Sequence, residues 1–290
     1  MTAIYDRITW CFDPLHHLWE HEKMHRKISV ALLFSFLAGL ALVELKRHDL
    51  LPPSLATITP DNHFHVVHFA FSVVLLQELI SLIFTIPCSF SRSVGTQFEI
   101  LALILLRGAF KELSGFTEPI VFDGNQMAVL HILANGCGAL LVFGLLGYYY
   151  RIRDTGGEGR VVADSLYSFV AAKKGIALVL LALFIIMGTQ SGWLWLRGLD
   201  DGEDFFHSFY TILILTDILL VLLAQCFQPS FHAVFRNSGL ALSTLIIRLA
   251  LAAPPFYNVL LGLASIVFAI LLTLTSNILF QKRQKRSLST

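Results

Sequence analysis

Apolar runs of about twenty residues recur eight times along this chain, and no other feature limits its fold so tightly. A run of that length crosses a hydrocarbon core of about 30 Å as a helix. Lipid offers no hydrogen-bond partners, so the backbone must satisfy itself within each segment. The runs span approximately 28–46, 64–87, 95–111, 125–150, 175–197, 205–228, 238–253 and 257–280. The seventh is short, and "AAPP" at 252–255 forms a tight hairpin into the eighth. Of 290 residues only 14% are charged, against about 25% in soluble domains, and mean hydropathy is +0.70. Such a chain could not cover a water-facing surface. The expected class is an all-α integral membrane protein of eight transmembrane helices.

The first 27 residues carry Asp13, Glu20 and Glu22 ahead of a full span, unlike a cleaved signal peptide. Lysine and arginine in short loops set orientation. With the N-terminus inside, fifteen of the 21 fall on the inner side and four on the outer, while Arg107 and Arg248 lie within spans. Both termini are therefore expected in the cytoplasm. All four cysteines then sit inside or within the bilayer, where a disulfide is not expected and a small buried hydrophobe is the ordinary role.

Two stretches, 63–111 and 204–252, share an order of features. Each starts with acidic or histidine residues and enters a long span containing one acid, Glu78 or Asp217. A cysteine follows, then a basic inner loop, then a span with one arginine, Arg107 or Arg248. Four spans per unit gives both units the same topology. Parallel repeats related by a two-fold axis along the membrane normal are expected; coincidental likeness between apolar segments is the alternative. The organisation is an amphipathic N-terminal segment (1–27), a first four-helix repeat (28–151), a linker with an amphipathic segment (152–174), a second repeat (175–281) and a basic tail (282–290).

The second unit resembles the PsiE family, four-span bacterial inner-membrane proteins named for induction by phosphate starvation. The residues carrying the likeness are Phe227, Gln228, Phe231, His232 and Arg236, then Arg248, with Asp217 upstream. The likeness covers roughly 175–286 and reaches 28–151 only through the internal repeat, where Ser91 and Arg92 replace the phenylalanine–histidine element. It implies a fold and the bacterial cytoplasmic membrane, not a reaction.

A charge at the bilayer centre costs about 2.5–3.5 kcal/mol on insertion scales, so such residues face the bundle interior and find partners. At about 1.5 Å per residue, Asp217 and Arg248 reach the same depth and are expected to pair. Glu78 lies about 21 Å and Arg107 about 12 Å from the outer face by the same rise. These two pair through arginine's long stem, or Glu78 instead meets Glu99 and shares a proton with it. The pairs either fix helix packing or mark a proton or ion path.

His63, His65 and His68 gather at the outer mouth of the second span, with His131 and His207 at the same side. They are interfacial histidines, a zinc or copper site formed by His63, His65, His68 and His131, or, through His68 and His131, haem ligands. His17, His21 and His25 follow i, i+4 spacing and form a solvated stripe or a second metal set. Ile4, Ile8, Phe12, Leu15 and Trp19 make the segment amphipathic, as a helix lying among headgroups would be.

No phosphate-cradling glycine loop, HExxH, CxxC pair or nucleophile elbow occurs. Enzymatic chemistry and nucleic-acid binding are not expected, and no cofactor is required. Three functions remain: translocation of protons or small ions through the paired charges, a non-catalytic subunit or scaffold with a membrane partner or a second copy of itself, and a haem- or metal-binding anchor.

Overall fold

The computed structural model describes residues 2–52, 59, 62–116, 124–154, 163–196, 203–227 and 229–287. Among them nine α-helices run in order: α1 (Thr2–Glu20), α2 (Glu22–Arg47), α3 (His63–Thr85), α4 (Phe90–Lys111), α5 (Gln126–Asp154), α6 (Ala163–Leu196), α7 (Glu203–Phe227), α8 (Phe231–Ala252) and α9 (Tyr257–Ser287). A 3-10 turn, Glu112–Gly115, closes α4. All but α1 are long and apolar enough to cross a bilayer. The chain is an all-α polytopic membrane protein.

Two spans start earlier than expected. The helices expected from residues 95 and 238 begin at Phe90 and Phe231. Arg92 and Arg236 lower local hydropathy there, yet the helical signals are present. Pro87 and Pro229 cannot continue a helix, and Ser89 and Ser230 hold extended backbone at the next N-caps. The seventh span is therefore a full 22-residue helix. The amphipathic stretch before the fifth span also differs, running unbroken into α6.

Sequential helices pack side by side within each half: α2 on α3, α3 on α4 and α4 on α5; then α6 on α7, α7 on α8 and α8 on α9. Between halves α5 meets α9, α4 meets α8 and α3 meets α6. Eight crossings put the start of α2 and the close of α9 at one end of the bundle, the terminal end; the opposite end is the far end. One core joins Phe98, Leu101, Tyr149, Leu240, Ile247 and Ile266 of α4, α5, α8 and α9. The other joins Phe12, Leu79, Ile83, Leu180, Phe209 and Leu213 of α1, α3, α6 and α7. Leu140, Phe143, Leu215 and Leu260 remain more than half exposed, as lipid-facing side chains do.

Helix α1 packs chiefly on α6. Phe12 is buried, Ile8 lies beside Gly175, and the Trp19 indole nitrogen donates to Ser81 Oγ at 3.1 Å. Lys174 pairs with Asp13 at 2.6 Å. Ile8, Phe12 and Trp19 of the apolar stripe thus pack on protein, while Leu15 of the same stripe faces outward with Trp10 and Leu18. Cys11, Cys137 and Cys226 are exposed rather than buried, and no described cysteine is in a disulfide.

Without strong hydrophobic attraction between helices in lipid, close backbone approach at small residues drives packing. At Gly138 of α5 a β-carbon would overlap the Val259 side chain of α9. Gly144, on the same helix, has open space at that position. Gly138→Ala is expected to cost about 1–3 kcal/mol through overpacking, visible as a lower melting temperature in detergent. Gly144→Ala leaves it unchanged or slightly higher, since alanine favours helix.

Candidate functional site

The site begins with two charge pairs repeating one arrangement, an acid on one helix and an arginine on the next. Arg107 Nη1 of α4 donates to Glu78 Oε1 of α3. Arg248 Nε of α8 stands 3.6 Å from Asp217 Oδ2 of α7. Glu78 is buried, Asp217 is buried, and Arg248 is 2% exposed. Glu99 does not meet Glu78; its carboxylate accepts from the Tyr150 hydroxyl at 2.5 Å. Eight residues before Arg107 on an α-helix, Glu99 is turned onto a different face, toward α5.

The two pairs share a neighbour. Tyr210 precedes Asp217 by seven residues, two helical turns, and so projects from the same face of α7. It is buried and lies within electrostatic reach of both Glu78 and Arg248. This tyrosine bridges the first half of the chain to the second.

Above the pairs, toward the far end, a cleft of about 1240 Å³ opens between α2, α3, α4, α6, α7 and the close of α8. Its walls are largely apolar, with Val66, Phe69, Leu75 and Phe206 among them. Glu78, Arg107 and Tyr210 lie in its lining, together with His65, His68, His207 and Lys111. The cleft forms because α3 and α6, from different halves, touch only lightly, and no local pattern encodes that gap.

Below the pairs, toward the terminal end, lies a second cavity of about 20 Å³, room for one water molecule. Asp217, Thr244, Gln97, Ser93 and Lys173 line it. Lys173 is 2% exposed and donates to the Cys88 carbonyl at 2.8 Å. Its ammonium stands 4.4 Å from the Phe90 ring and 4.7 Å from the Phe169 ring. Sequence reasoning placed this lysine among the basic residues of an inner loop. The available signal was Phe169, four residues earlier on one helical face.

Several of these groups keep unused hydrogen-bonding capacity. Glu78 Oε2, Gln97 Oε1, Asp217 Oδ2, and Arg248 Nε and Nη1 are buried without a hydrogen-bond partner. Buried polar atoms are ordinarily satisfied, and exceptions concentrate where structure serves something other than stability.

The histidines do not converge. No group of three or more His, Cys, Asp or Glu side chains among the described residues could hold a metal ion. His63 faces Glu44 at 3.4 Å. His131 faces Glu112 at 3.1 Å, has Phe256 edge-on at 5.0 Å, and lies outside the cleft that His65 and His68 line. His68 and His131 thus have different surroundings. The terminal-end trio is divided by a helix break: His21 is the N-cap of α2, His17 stacks on it at 6.1 Å, and His25 contacts Gln77 at 2.9 Å.

The phenylalanine–histidine element lies at the start of α8, apart from the pairs. Phe227 packs on Phe169 at 5.3 Å; Phe231 is 76% exposed and contacts His232 and Phe235. Arg236 Nε is buried, within electrostatic reach of Tyr149. Gln228 lies outside the described residues. Comparison of the chain with protein-family models, with curated proteins and with solved structures returns no match in any of the three.

Proposed function

We propose that the protein conducts protons across its membrane along one polar seam between its halves. The observation carrying this reading is the succession of Glu78, Tyr210, Asp217 and Lys173, from a wide far-end cleft to a one-water cavity near the terminal end. Each member can bind or relay a proton, and intramembrane ionisable residues of this kind mark such paths. A proton entering the cleft reaches the Glu78 carboxylate and loosens its bond to Arg107. The Tyr210 hydroxyl donates onward and is reprotonated from Glu78. Asp217 receives the proton beside Arg248, and the small cavity carries it toward Lys173 and the carbonyl of Cys88. The two arginines balance the two acids when both are charged and make the seam positive once either acid is protonated, which opposes passage of metal cations. Phosphate would suit an arginine, but each arginine already faces an acid, so an anion would first have to separate a pair.

The orientation in this proposal puts both termini in the cytoplasm, so the cleft opens outside. The halves are taken as parallel repeats. Support comes from the identical order of helix neighbours in each half and from the facing of α4 on α8 and α5 on α9. Kinship with the PsiE family and residence in a bacterial inner membrane belong to the same proposal. The scaffold reading draws on the deep burial of Arg248 and Asp217, which would fix α7 on α8 without any transport.

The test is reconstitution in liposomes containing a pH dye under an imposed potential. The native protein is expected to acidify or alkalinise the lumen faster than empty liposomes, with no matching potassium or phosphate flux. Asp217→Asn is expected to abolish this. Proton movement no faster than in empty liposomes would leave the scaffold reading in its place.

A further inference from the structure

The far-end cleft follows α3 from Asn62 down to Glu78, about 24 Å along the axis at about 1.5 Å per residue. Its floor is set by Glu78 of α3, Ile104 of α4 and Tyr210 of α7, the deepest lining residue that each helix contributes. Within two turns above the floor the walls are apolar, with Phe71, Leu75, Leu76 and Phe206. The Glu78–Arg107 pair stands at this floor with neither partner fully used. Arg107 Nη1 donates to Glu78 Oε1. Glu78 is 7% exposed, yet its Oε2 has no hydrogen-bond partner. A guanidinium carries five N–H donors. Among the described residues Arg107 bonds only to Glu78, and its side chain stays 27% exposed in the cleft lining. An unmet acceptor and uncommitted donors therefore meet at the bottom of an apolar cleft.

We propose that this cleft binds an uncharged lipophilic alcohol, its hydroxyl at the Glu78–Arg107 pair and its hydrocarbon body running along α3 to the far end. A hydroxyl is donor and acceptor at once, so its oxygen accepts from Arg107 while its proton goes to Glu78 Oε2. Other heads fit worse. Ethers, ketones and quinones only accept, and they leave Oε2 buried and unmet. The ion pair compensates itself. A carboxylate would therefore be set against Glu78, and an ammonium against Arg107, where little water screens them. Size permits the assignment. At about 30 Å³ per heavy atom, the share of a liquid water, an 18-carbon alcohol takes about 600 Å³ of a cleft of about 1240 Å³. The proposal shares Glu78 with the proton path but does not depend on conduction, because binding is read in detergent with no gradient present.

The delipidated full chain is titrated with oleyl alcohol, its methyl ether, oleate or oleylamine, and bound ligand is counted by native mass spectrometry. The expected result is one oleyl alcohol per chain and at least tenfold weaker binding of the other three, because a site built around a hydroxyl rejects analogues that lack it. Equal binding of the ether overturns the hydrogen-bonding role of the pair. Equal or tighter binding of oleate or oleylamine overturns the uncharged head. Glu78→Leu combined with Arg107→Met replaces the whole pair by apolar side chains of similar volume, a change that buried pairs often tolerate. Alcohol and ether should then bind within about twofold of each other. A tenfold preference that survives in this variant puts the hydroxyl elsewhere and overturns the location. Should the variant not fold, the native chain is photolabelled with an oleyl alcohol carrying a diazirine beside the carbinol carbon. Crosslinks are expected within a turn of Leu75, Ile104 or Tyr210, which line the cleft at its floor. Crosslinks confined to other segments overturn the location equally.

Discussion

Arg248→Gln is expected to lower the stability of the detergent-solubilised protein by about 3–5 kcal/mol, the range seen when one partner of a buried pair is removed. Arg248 is 2% exposed and Asp217 is buried, so the lone carboxylate would have no solvent to charge against. At 3.6 Å and an effective dielectric of about 20 the pair's attraction is roughly 4–5 kcal/mol. The geometry is nevertheless poor: Arg248 Nε and Nη1 and Asp217 Oδ2 make no hydrogen bonds. Desolvation therefore offsets most of that attraction, and the intact pair stabilises little in net terms. Asp217→Asn should be destabilising for the mirror-image reason. The double variant should be more stable than either single variant, with a coupling of about 0.5–3 kcal/mol. Thermal or denaturant unfolding followed by helix content measures all three. Simple addition of the single effects would mean that the side chains do not interact.

Lys173 gives the second large effect, and its sign depends on the replacement. Lys173→Ala removes a buried stem packed between Phe90 and Phe169 and leaves the Cys88 carbonyl without its donor. Deleting a long buried chain costs about 2–5 kcal/mol, and stranding the carbonyl adds about 1–3. Lys173→Met keeps most of the volume. It loses cation–π contacts worth about 0.5–2 kcal/mol each and a charged hydrogen bond worth about 1.5–3, but it also removes a desolvation penalty of several kcal/mol. Methionine should therefore stay within about 1 kcal/mol of the native protein while reducing proton flux at least tenfold. A methionine variant that folds and conducts normally would remove Lys173 from the path and leave it a packing role.

How much of this was legible in the sequence depended on how local each feature is. Eight long apolar segments declare themselves because each satisfies its own backbone. The starts of α4 and α8 were hidden by Arg92 and Arg236, which read as loop charges although a proline and an N-cap serine precede each helix. Asp217 and Arg248 were paired by depth alone, since both lie near mid-span. Glu78 and Arg107 differed in counted depth, and only the packed helices bring Arg107 rather than Glu99 to Glu78. Tyr210 looked like any aromatic residue in a span, and Lys173 like any basic residue beside one. Their significance comes from neighbours on other helices, and the far-end cleft, walled by both halves, has no local signature at all.

The central claim is that the two halves share one path, so the decisive measurement is proton flux in Glu78→Gln, Asp217→Asn and the double variant, each reconstituted at equal protein content. Groups in series fail together: either single change is expected to abolish flux as completely as the double change, to the level of empty liposomes. If each single variant instead keeps about half of the native flux and only the double variant loses it, the halves conduct independently and the seam through Tyr210 is not the route.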